Sequence, residues 1–126
     1  MAIYKEHVNL IPAGSDGSAT ASATTRPLSG IIQGIYIVYD SSQAATTDIT
    51  FTMSDAPDAL IFTVPDNKTS GWYTPSVDLY DSAGAAATYD GSEEIYALMP
   101  VDGALVVAAA QADNTHPIDV YIHVLV

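Results

Sequence analysis

Hydrophobic residues in this chain recur at every second position, in one short run after another. Residues 48–53 set the pattern: Ile49, Phe51 and Met53 alternate with Asp48, Thr50 and Thr52. Such alternation gives a strand one dry and one wet face. The run before it, residues 30–40, is apolar on both sides, with Ile31, Ile35 and Ile37 on one face and Ile32, Tyr36 and Val38 on the other. A strand of that kind needs two covers, from a second sheet and from a neighbouring element or chain. The two runs predict a pair of long antiparallel strands joined by the polar link 41–45.

The rest of the chain follows the same period. Residues 2–11 form a first strand, with Ile3, His7 and Asn9 against Tyr4, Val8 and Leu10. Residues 12–17, rich in Pro, Gly and Asp, form a turn. Residues 18–25 alternate alanine with serine and threonine, a flat strand whose small side chains let another backbone come close. A short buried strand spans 59–64, and a long turn spans 65–71. Residues 76–93 form an excursion rather than a helix, interrupted by Gly84 and Gly91. Strands return at 94–101, 104–111 and 117–126, the last with Ile118, Val120, Ile122, Val124 and Val126 on one face. About eight short strands with no substantial helix predict an all-β fold, an antiparallel β-sandwich of jelly-roll-like form. The expectation is a single domain over 1–126, with 1–17 as an N-terminal arm or edge strand.

Charge narrows the function. Fifteen acidic residues face three basic ones, Lys5, Arg26 and Lys68, for a net charge of −12. That balance argues against nucleic acid and against anionic membrane surfaces, both of which need clustered cations. There is no cysteine, hence no disulfide framework, thiolate metal site or thiol nucleophile. The first residues lack the apolar core of a secretion signal, and no apolar run is long enough to span a bilayer, so a cytosol-like compartment is expected. Only 14 % of residues are charged. Either Thr and Ser coat the surface, or an assembly hides part of it.

The chemistry-bearing residues form no recognisable catalytic pattern. His7 and His123 lie on first and last strands that could pair, with Asp119 on the same face as His123, but the spacing fits no metalloenzyme motif. Ordinary polar positions are the expected reading, for His116 too. Asp55 with Asp58, and Asp78 with Asp81 and Asp90, are loop carboxylates without calcium-loop spacing. There is no nucleophile elbow and no phosphate-binding glycine loop. The expectation is therefore no catalytic residue, no cofactor, no metal and no small-molecule substrate. Trp72-Tyr73, after Gly71, is the most distinctive apolar feature outside the strands. It is either a core plug or an exposed anchor, and the plug is the expectation.

Several segments, in order, resemble a family of small proteins encoded among tailed-bacteriophage structural genes. They are Ser-Ala-Thr-Ala-Ser-Ala-Thr-Thr (18–25), Leu-Ser-Gly-Ile-Ile-Gln-Gly-Ile-Tyr-Ile-Val-Tyr-Asp (28–40) and Ala-Thr-Thr-Asp-Ile-Thr (45–50). Thr-Ser-Gly-Trp-Tyr-Thr-Pro (69–75), Pro-Val-Asp-Gly-Ala-Leu-Val-Val (100–107) and Ile-Asp-Val-Tyr-Ile (118–122) complete the set. The resemblance implies a capsid decoration, or cement, protein: a homotrimer bound to the major capsid protein on the outer head surface of the virion, assembled in the host cytoplasm. The expected interface residues are Ile3, Tyr4, Tyr36, Val38, Trp72 and Tyr73. The alternative from another class is a carbohydrate- or receptor-binding module of a tail or fibre, with Trp72 and Tyr73 as its aromatic platform. Exposure of Trp72 beside polar groups would favour that alternative.

Overall fold

Two antiparallel sheets face each other across a core of aliphatic side chains, with phenylalanine and tyrosine among them. The computed structural model describes residues 2–78, 83, 85 and 96–126. The strands are β1 (Ile3–Leu10), β2 (Ala19–Thr24), β3 (Leu28–Tyr39), β4 (Asp48–Met53), β5 (Ala56–Val64), β6 (Gly71–Tyr73), β7 (Ser76–Asp78), β8 (Tyr96–Leu98), β9 (Pro100–Gly103), β10 (Leu105–Ala112) and β11 (Ile118–Leu125). The larger sheet runs β1-β11-β3-β6, with β9 also pairing with β3. The smaller one runs β2-β10-β4-β5, and β7 and β8 pair as a separate ribbon. The all-β sandwich read from alternation is the fold. The expected 76–93 excursion lies, beyond β7, outside the described residues apart from Ala83 and Ala85.

The topology is a rolled ribbon. β4 and β5 form a hairpin; behind it β3 pairs with β9, β2 with β10, and β1 with β11. Rolling that ribbon sends successive strands to opposite sheets, which is the jelly-roll arrangement. It also corrects one expectation. β3 and β4 are not partners but sit in different sheets, because residues 40–47 cross the end of the sandwich. Gln43 pins that crossing. Its buried amide donates to the carbonyl of His116 and accepts from the backbone N–H groups of Ala44 and Asp113 and from the Thr47 hydroxyl.

A bulge in β3 supplies the second correction. His123 pairs with Gly34 but Val124 with Ile32, so Gln33 is the extra residue on β3. One inserted residue swaps faces. Ile32, Ile35, Ile37 and Tyr39 all point into the core, while Ile31, Tyr36 and Val38 point out. The strand is therefore less two-faced than simple alternation implies, and one core takes up most of its apolar side chains. Opposite them lie Ile49, Phe51, Leu105, Val107 and Ala109 of the smaller sheet.

The open side between β1 and β2 is clasped by charge. Glu6, buried on the inner side of β1, accepts the backbone N–H of Arg26 at 2.9 Å and faces its guanidinium Nε at 3.4 Å. The same guanidinium lies over the Tyr4 ring, 5.2 Å from its centre, and reaches the phenol oxygen.

Candidate binding face

The outer face of the larger sheet carries most of the distinctive side chains. Register fixes its rows. His7, Tyr121, Tyr36 and Trp72 lie side by side across β1, β11, β3 and β6, because each is the direct partner of the next. His7 stacks on Tyr121 at 4.5 Å between ring centres. Trp72 tilts against Tyr36 at 5.1 Å and meets His123 edge-on at 4.8 Å. Ile3, Leu125 and Ile31 form an aliphatic row at one end of the band. Lys5 and Asp119 are the only Lys, Arg, Asp or Glu among the outward positions of these four strands. Asp119 accepts from the Asn9 amide and meets the His7 ring at 2.9 Å each. Those two hydrogen bonds, Asn9's first, hold its pKa below the ordinary carboxylate value.

Trp72 is the correction at this site. It is 60 % exposed, so it does not plug the core. Strand alternation gives the reason: Tyr73, its neighbour on β6, is the residue that turns inward and packs on the core. The Tyr73 hydroxyl donates to the Thr69 carbonyl and accepts from the Asn67 amide. Tyr73 therefore cannot share a platform with Trp72. Of the six expected interface residues, Ile3, Tyr36, Val38 and Trp72 share the outer face. Tyr4 lies on the inner side of β1 under Arg26, and Tyr73 on the inner side of β6.

A groove of about 350 Å³ opens beside Trp72, lined by Gln33, Gly34, Thr74 and His123. A side chain at Gly34 would put its Cβ 3.2 Å from the indole, so glycine lets Trp72 lie low across β3. Burial, and then the nearby Lys5, hold the His123 pKa below the ordinary histidine value. Gln33, Gly34, Thr74 and His123 were not singled out together in the sequence. The signal for them was Gln33-Gly34 inside an apolar run, a bulge signature that positions a groove only once β6 and β11 are known neighbours.

The polar candidates divide. His7 and Asp119 come together, while His123 belongs to the groove. His116 faces Asp40 at 3.4 Å, beyond the ends of β3 and β11. Among the described residues no group of three or more His, Asp or Glu is placed to hold a metal ion. Asp55 is exposed in the β4–β5 turn; the side chains of Asp58, Asp78, Asp81 and Asp90 lie outside the described residues. A scan against protein-family models finds no match, and a search of curated proteins finds no significant relative.

Proposed function

We propose that this protein is a non-enzymatic structural subunit of a tailed-phage virion, which decorates the outer head surface and docks on the major capsid protein through the outer face of its larger sheet. The observation that carries the reading is the composition of that face. Interface centres are rich in Trp and Tyr and poor in charge. Here an aromatic row and exposed Ile3, Ile31 and Trp72 lie on a molecule of net charge −12, with Lys5 and Asp119 as their charged neighbours. The phage assignment itself rests on the ordered sequence resemblance. Packing three copies around one axis would cover part of this face or of the flat Ser/Thr strand β2. Clamping neighbouring coat subunits adds buried interface to the expanded shell, and mass action then favours the assembled form.

The test is binding of the purified protein to expanded empty heads, with proheads and tails as controls. Saturable binding to heads at a fixed ratio to coat protein is expected. Tyr36→Asp, which places a charge inside the aromatic row of the face, should weaken it at least tenfold while the fold persists. No binding to heads, or binding confined to tail tips, would overturn the proposal.

A second reading, a carbohydrate- or receptor-binding module of a tail or fibre, is favoured by one specific observation: Trp72 is exposed in a groove beside Gln33, Thr74 and His123.

A further inference from the structure

We infer that the Trp72 groove is a subsite for a single pyranose ring of an uncharged glycan. The inference rests on the second reading above and gives it a place and a ligand class. The groove is small: about 350 Å³ lies near the lower end of the roughly 300–1,000 Å³ span of ligand sites, so it suits one ring rather than a chain. Its wall is an indole held from two sides, by Tyr36 at 5.1 Å and His123 at 4.8 Å. That wall is preorganised, so little ordering is left to oppose binding.

The rim chooses among occupants. Gln33 and Thr74 carry a neutral amide and a neutral hydroxyl, and neither side chain hydrogen-bonds to another described residue. His123, with its pKa held down, adds a neutral imidazole with one donor and one acceptor nitrogen. An apolar protein anchor seated here would strip water from all three and return no hydrogen bonds. A pyranose matches both parts: its C–H face lies on an aromatic ring, and its hydroxyls both donate and accept. A carboxylated or sulfated sugar finds no cation among the lining residues, with Lys5 one strand away beyond His123, and meets a strongly acidic protein.

Trp72 is the only tryptophan in the chain, so its fluorescence reports occupancy without a label. The experiment titrates the intact protein with glucose, galactose, mannose and N-acetylglucosamine, then with neutral oligosaccharides containing them, and in parallel with N-acetylneuraminic acid. The expected result is a saturable spectral change with at least one neutral sugar, at a dissociation constant on the order of 1 mM. Gln33→Ala and His123→Ala should each weaken it at least fivefold, with a native circular-dichroism spectrum and a single cooperative melting transition as the control on folding. Saturable binding that both variants leave intact would overturn the subsite while sparing the second reading. Binding of the acidic sugar alone would overturn the ligand class. No saturable change with any sugar up to about 0.1 M would overturn the subsite and the carbohydrate form of the second reading, and would leave the head-binding proposal to stand on its own test.

Discussion

Three side chains show how much depends on direction rather than identity. Tyr39 is buried, yet its hydroxyl is the one buried side-chain polar atom without a partner among the described residues. Burial, with Tyr73 beside it, pushes its pKa well above the ordinary phenol range. A buried hydroxyl without a partner carries a desolvation cost. Tyr39→Phe should therefore leave stability unchanged or raise it by up to about 1 kcal/mol in urea unfolding; a loss above that would mean that the hydroxyl has a partner. Gln43 is the opposite case, a buried amide whose oxygen and nitrogen are both hydrogen-bonded. Gln43→Ala strands two backbone N–H groups and a carbonyl, and should cost roughly 2–4 kcal/mol in the same assay. His123 makes stability depend on pH. Its folded pKa lies below the unfolded one, so the unfolded chain takes up the proton first as pH falls. The stability that the neutral ring provides is complete above about pH 6.5 and declines from there toward the folded pKa. His123→Gln should flatten the melting temperature between about pH 7 and pH 5; parallel curves would exclude this residue as the cause. None of these environments could be read from the chain, because burial and partners depend on strands far apart in sequence. Trp72 makes the same point: its type suggested a core residue, and the parity of β6 placed it outside.

At the scale of elements, the period-two pattern was enough to find nearly every long strand, with β1, β2, β4, β10 and β11 within a residue or so of the read boundaries. Short strands escaped for a physical reason. β6 and β7 have three residues each, too few for alternation to stand out from a turn, and the same period merges β8 and β9 into one strand over 94–101. Pairing was less legible than existence, since β3 and β4 are adjacent in sequence yet lie in opposite sheets. Face assignment in β3 failed at one residue, the bulged Gln33, and that residue helps build the groove. The same strand contains a second constraint. Gly30 has a φ of +145°, and a Cβ there would lie 2.3 Å from the carbonyl oxygen of Leu125. Gly30→Ala should cost at least about 2 kcal/mol, by forcing the β3–β11 pair apart at its end. Equal stability of variant and parent would show that this end of the ladder yields freely.

For the molecule as a whole, charge and topology make separate demands. A net charge of −12 on 126 residues means self-repulsion in the compact state. Raising ionic strength from about 0.01 M to 0.15 M shortens the screening length from roughly 30 Å to 8 Å. The melting temperature should rise across that range; a flat response would mean that the carboxylates are already neutralised in place. The rolled ribbon acts on kinetics instead. Among the described strands of the two sheets, the β4–β5 hairpin is the most local pairing, and each later pairing of the ribbon closes a longer loop, out to Ile3 with Leu125. Loop-closure entropy delays such pairings, so this topology belongs with the slow folders. It also leaves Ala2 and Val126 bonded to each other through both backbone amides, at 3.1 and 2.9 Å. A circular permutant is thus within easy reach: a short linker joins residues 2 and 126, and new ends are cut between Ser54 and Asp55. Such a chain keeps every long-range ladder but loses the tight β4–β5 connection, so its equilibrium stability would change far less than the speed at which it folds.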